Sequence, residues 1–193
     1  MFIFADQFLV MINQIEISTE RFLLKSITPQ IINTLFEEKT EGEIKKFFDA
    51  DESEYAHLKS MYEGGMETHR LSMFYFLVVD KKDNRIIGNC GFHTWNRTHK
   101  RTEFFYALKY EEDKRKGIMT EVVAKVLDFG FTTLELHRIE ALVGRHNIAS
   151  IKLLERFQFT KEGTMREDYV VADKNEDSEC YSLLKWEWEQ NKN

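Results

Sequence analysis

Lys114, Arg115 and Lys116 run directly into Gly117, and an apolar-patterned segment begins at the next residue. Ahead of a helix, this combination suits an anion. The first turn of a helix exposes free backbone N–H groups at the positive end of its macrodipole, and glycine lets a ligand come close to the main chain. Phosphate or pyrophosphate is the ligand class that fits, although a solvated charged turn would use the same residues. A Walker-type phosphate loop is excluded, since GxxxxGK followed by Ser or Thr does not occur.

Other chemistries find less support. Cys90 and Cys180 are the only cysteines. Cys90 lies three residues before His93, an odd spacing that puts the two on opposite faces of a strand, and Cys180 has no histidine near it in sequence. His93, His99, His137 and His146 form neither HExxH nor a set with paired CxxC, so no metal site is expected. The absence of GxGxxG argues against a dinucleotide site.

The elements that must carry such residues are legible from periodicity. RFLLKSI (21–27) reads as a strand before Pro29, whose fixed φ suits a helix start. Apolar residues at 31, 32, 35, 36, 44, 47 and 48 predict one or two amphipathic helices broken near Gly42. A further helix over 53–61 ends at Gly64-Gly65. FYFLVVD (74–80), the turn KKDN and RIIGNCGFHTW form a hairpin, and EFFYALK (103–109) is a third strand. From Gly117 to Phe131 the spacing predicts a helix with one buried face. HRIEALV is then a buried strand and ASIKLLERF a short helix. Val170-Val171 and Cys180 to Trp188 close the chain as a strand pair. Strands that meander and then alternate with helices imply a mixed α/β sheet.

With 193 residues, 42% of them apolar and a single proline, one globular domain over 1–193 is expected. Residues 1–17 would form an extension packed on it as a strand or short helix, since that stretch contains Asp6, lacks basic residues and is too short to span a bilayer. A net charge of −6 speaks against direct nucleic-acid binding and suits a basic partner. Two distant cysteines suggest a reducing, cytoplasmic setting, with no membrane association.

In order along the chain, GFHTWNRTHKRTEFFYAL, KGIMTEVV, LHRIEALV, Asn147 with Ser150, FQFTKEGTMRED and CYSLL resemble the GCN5-related N-acetyltransferase (GNAT) superfamily, in its RimJ/RimL-type branch. The resemblance covers roughly residues 18–188. It implies a splayed central sheet flanked by helices, and a pyrophosphate loop of the form Q/R-x-x-G-x-G/A. Lys114 stands where Arg or Gln is usual, Gly117 matches, and Met119 replaces the small last residue. The expected cosubstrate is acetyl-CoA. Lys114 to Gly117, with Ile118, Met119 and Thr120, would hold its pyrophosphate, and Phe105, Tyr106, Ala107 and Leu108 would line the pantetheine arm.

Acetyl transfer to an amine needs a held thioester, a deprotonated amine and a route for protonating the leaving thiolate. The resemblance puts Asn147 on the cofactor arm and Ser150 near the thioester sulfur, although the pair would equally cap a short helix. Many relatives in the superfamily carry a tyrosine seven residues after this asparagine; here the position is Leu154. Glu103 and His93 are the candidate bases, and a structural carboxylate and histidine are the alternative reading. Gln158 replaces the glycine of the usual GF pair, and Tyr181 faces either the acceptor or the core. The expected reaction is acetylation of a primary amine, foremost a protein N-terminal α-amine. A polyamine or antibiotic acceptor, or a non-catalytic acyl-CoA-binding module, are the alternatives. Trp186 and Trp188 would support a homodimer.

Overall fold

The computed structural model describes residues 15–68 and 71–192, so the reading of residues 1–14 lies outside the described residues. The strands are β1 (Glu16–Ser18), β2 (Phe22–Ile27), β3 (Glu67–Thr68), β4 (Leu71–Asp80), β5 (Ile86–Asn96), β6 (Arg101–Leu108), β7 (Arg138–Gly144), β8 (Thr160–Val171) and β9 (Lys174–Leu184). The α-helices are α1 (Pro29–Glu38), α2 (Glu41–Phe48), α3 (Glu52–Glu63), α4 (Ile118–Thr132), α5 (Ile148–Arg156) and α6 (Lys185–Gln190). The mixed α/β sheet with flanking helices is the expected fold class. The chain divides into two compact units, one made of residues up to Gly91 with Tyr106–Lys116, the other of Phe92–Phe105 with Gly117 onward. β5 and β6 each contribute residues to both.

In the first unit, β1, β2 and β4 are antiparallel neighbours, followed in order by the first part of β5 and the end of β6. The three helices bury one face each, Ile31, Ile32 and Leu35 on α1, Ile44 and Phe48 on α2, Leu58 and Met61 on α3. Phe36 stacks on Tyr62 at 4.8 Å and on Tyr55 at 5.8 Å, joining α1 to α3. The break between α1 and α2 falls at Lys39-Thr40, near Gly42 as expected, and Gly42 itself lies in the first turn of α2. Thr40 and Glu43 form a capping box, with the Thr40 amide donating to Glu43 Oε2 at 2.9 Å, and this start signal sets the break just ahead of the glycine.

The second unit runs β5, β6, β7, β9, β8. β6 and β7 are parallel over three residue pairs, from Arg101 with Arg138 to Glu103 with Glu140, and β7 continues to Gly144 paired antiparallel with β9. α4 buries Val122, Val126 and Phe131 completely, and Gly130 lets the helix approach the Phe92 ring and Ile139, where a Cβ would stand 2.8 Å and 3.1 Å away. β9 ends at Leu184 and Trp186 and Trp188 lie on α6, not on a strand, because Glu187 reaches back to the Leu184 amide at 2.8 Å and starts the helix. Trp188 packs on Phe131 at 5.0 Å with Lys192 over its ring, whereas Trp186 is exposed.

The turn after α5 forms although glycine is absent. Gln158 adopts φ 59°, and the Phe159 amide closes on Leu154 O at 3.0 Å. A left-handed non-glycine residue costs about 1 kcal/mol. Gln158→Gly should therefore raise unfolding stability by roughly 0.5–1 kcal/mol in a denaturant titration.

Candidate active site

Along β6, Thr102 and Phe104 point into the core, while Glu103 and Phe105 fall on the opposite, half-buried face. The Thr102 hydroxyl donates to His93 O at 2.8 Å and ties β5 to β6 at this point. His93 Nε2 stands 3.6 Å from Glu103 Oε1, and the His93 ring stacks on Phe105 at 5.6 Å. The structure thus brings together the two candidate bases. Burial, reinforced by the negative charges of Glu140 and Asp168, pushes the Glu103 carboxyl up to about 7. Burial also lowers His93, so the imidazole beside Glu103 is neutral at neutral pH. The arrangement is a carboxyl poised to gain or lose one proton near pH 7, next to an uncharged ring.

Gly117 takes φ 72° as the N-cap of α4, with no side chain closing the first turn. The side chains of Ile118 and Met119 turn into the core. Met119 therefore offers only its amide at the helix start, and its bulk does not crowd the N-terminus. Thr120 Oγ1 accepts a hydrogen bond from Arg156 at 3.0 Å, which brings a cation beside this turn. The preceding loop is held within the first unit. Buried Asp113 accepts two hydrogen bonds from Arg85, at 2.9 and 3.2 Å, and Arg21 donates to Lys116 O at 3.2 Å. Lys114 pairs with Glu111 and Lys116 lies 3.4 Å from Asp113, while Arg115 is exposed with φ 62°. A helix start of this kind, uncapped and preceded by cations, fits a pyrophosphate.

Asn147 is the N-cap of α5, its Oδ1 accepting from the Ser150 amide at 3.1 Å. The capping role is thus filled, and the Ser150 hydroxyl is left half-exposed at the helix start. Leu154 and Tyr181 are buried. Cys90 is fully buried and burial raises both thiols, so neither is an activated nucleophile. Phe105, Tyr106 and Leu108 are half-buried and Ala107 exposed along β6.

The first unit contains a cavity of about 710 Å³ with Tyr75, Leu77 and Ile86 among its walls and Asp49, Asp51 and Glu54 at its acidic part. Those carboxylates already have partners. Lys109 Nζ lies 3.0 Å from Glu54 and 3.8 Å from Asp49, Tyr110 donates to Asp49, and Asp51 caps α3 at 2.8 Å.

The Acetyltransferase (GNAT) domain family matches residues 21–160. The chain belongs to that family. Among curated GNAT relatives, it is 39% identical over 113 residues to the uncharacterized N-acetyltransferase p20 of Bacillus licheniformis, covering 58% of this chain and 63% of that protein. It is 32% identical over 110 residues to the putative ribosomal N-acetyltransferase YdaF of Bacillus subtilis, covering 57% of this chain and 60% of YdaF. Each match spans less than two thirds of the relative's length. A crystal structure of mutant forms of the spermidine/spermine N-acetyltransferase SpeG from Vibrio cholerae superposes with a TM-score of 0.67 at 20% identity, covering 90% of this chain and all of that one. This GNAT chain therefore shares SpeG's fold. Among its described residues, no helix is long and apolar enough to cross a membrane.

Sequence reasoning missed Glu140, Asp168 and Arg156. Their signal is cross-strand register and helix proximity, which no local spacing carries. Because Glu103 has a folded value near 7 and an unfolded one near 4.5, the native state holds more protons between those limits and loses stability as pH rises through them, by on the order of 3 kcal/mol. Glu103→Gln removes that penalty. The variant should melt higher than the parent at about pH 8 and together with it near pH 4, and an equal gap at both values would contradict the assignment.

Proposed function

We propose that this protein is an acetyl-CoA-dependent N-acetyltransferase whose acceptor is a protein N-terminal α-amine, with Glu103 as the general base. The supporting observation is the Glu103 carboxyl at about 7 beside neutral His93. An α-amine with a pKa near 8 can pass its proton to such a base at a cost of about one unit, roughly 1.4 kcal/mol. An alkyl amine near 10.4 needs about 2.4 units more, so the base is matched to the weaker amine. The ribosomal type of YdaF is consistent with that acceptor class.

Acetyl-CoA supplies the acetyl group as a thioester. Its pyrophosphate would be held by the amides of Ile118, Met119 and Thr120 and the cations of Lys114, Arg115 and Lys116. Phe105 to Leu108 would line the pantetheine arm, and Asn147 would offer its amide there. Glu103 accepts the proton of the attacking amine, directly or through water. As the new N–C bond forms and the C–S bond breaks, the Ser150 hydroxyl can relay a proton from water to the departing sulfur. Leu154 cannot serve that step.

A polyamine acceptor is the second reading, favoured by the acidic part of the cavity in the first unit and by SpeG. It ranks lower because Lys109, Tyr110 and the α3 cap already engage those carboxylates.

Three measurements check this reading. Glu103→Gln should lower kcat about 100-fold or more on an N-terminal peptide and abolish an acidic limb of kcat/KM near pH 7. A parent enzyme that acetylates linear polyamines and leaves N-terminal peptides untouched would transfer the assignment to the second reading. Gly117→Glu should fold normally yet lose acetyl-CoA binding in calorimetry, and unchanged affinity would remove the helix start from the cofactor site.

A further inference from the structure

The parallel register of β6 and β7 sets Glu103 directly beside Glu140 on the same face of the sheet. Two like-charged side chains at registered positions repel unless something intervenes. Two cations are close by, and both bond Glu140 rather than Glu103. Arg101, two residues from Glu103 on its own strand, reaches across to Glu140 with Nη1 3.4 Å from each carboxylate oxygen. Arg138 donates from Nε to Glu140 Oε1 at 2.7 Å. Its remaining donors hold Glu162, which the Ser182 hydroxyl also bonds at 2.9 Å, so the guanidinium is fixed away from Glu103.

What faces Glu103 is therefore uneven. From β5 comes neutral His93; from β7 comes Glu140 with Arg138; from β8 comes Asp168; from β9 comes the protonated Cys180 thiol. The negative neighbours Glu140 and Asp168 act on Glu103, while the arginines are committed to Glu140 and Glu162. Of two adjacent carboxyls, the one lacking a cation is the one that takes the proton.

We infer that Glu140 is a positioning residue for acetyl transfer: held between Arg101 and Arg138 and registered beside Glu103, it is the fixed negative neighbour that reinforces burial in making Glu103 the proton acceptor on this sheet face. This rests on the reading of Glu103 as the base. A purely structural ion pair joining β6 to β7 would change stability and leave the titration of Glu103 alone.

The test is carbon-13 NMR titration of the Glu103 carboxyl in glutamate-labelled parent, Glu140→Gln and Glu140→Asp proteins, alongside kcat/KM against pH. In Glu140→Gln the Glu103 titration should fall by on the order of one pH unit, and Glu140→Asp should restore it. The acidic limb of kcat/KM should move with it. Should the amide variant not fold, Glu140→Thr, a good strand former, replaces it. An unmoved Glu103 titration in a folded neutral variant overturns the inference. A titration that moves while the acidic limb stays still supports Glu140's influence and rejects Glu103 as the base.

Discussion

Three residue pairs of parallel ladder between β6 and β7 determine which charged groups lie side by side in the second unit. The ladder runs from Arg101 with Arg138 to Glu103 with Glu140, and side chains alternate across a strand, so this register decides which groups share a face. A slip of one residue would place Thr102 and Phe104 where Glu103 stands and drive the carboxylate into the core. On the buried side the same register pairs Thr102 with Ile139, and both side chains are buried. Apolar burial on one face thereby fixes a charged constellation on the other. The charged face is uneven in its turn, since Arg138 is shared between Glu140 and Glu162 and Arg101 crosses to β7.

Helix starts form a second layer of local devices. Thr28, Thr40, Asp51 and Asn147 each accept a backbone N–H with a side-chain oxygen and close the first turn of α1, α2, α3 and α5. Gly117 does not, and the buried side chains of Ile118 and Met119 leave the first turn of α4 presenting main-chain donors. An uncapped start needs its approach held by other means. In the first unit, buried Asp113 engages Arg85, and the Arg85 guanidinium also lies over the Tyr110 ring at 4.8 Å, so the loop up to Lys116 is anchored by residues distant in sequence.

Nearly all the elements were legible in the sequence because they rest on local physics. Aromatic and β-branched content marked β4 in FYFLVVD, EFFYALK marked β6, the 3.6-residue spacing after Gly117 marked α4, and Pro29 marked the start of α1. Local capping signals decided where two of the elements begin. The capping box at Thr40 set the exact break beside Gly42, and Glu187 turned the chain into a helix where a strand to Trp188 was expected. Gln158 shows the converse, a left-handed turn enforced by the packing of Leu154 and Phe159 on a residue that does not favour it.

Sequence alone also sufficed for membership in the GNAT family, because ordered motifs along most of the chain need no coordinates to be compared. It named Glu103 and His93 as candidates, but it could not rank them against a structural pair, since proton affinity depends on burial and on neighbours supplied by other strands. Only the tertiary structure brought Glu140 and Asp168 to Glu103 and withdrew Arg101 and Arg138 from it. The reason is geometric: periodicity along one strand reports which face a residue occupies, whereas the identity of its neighbour across the sheet is set by register, which emerges only when the strands pair.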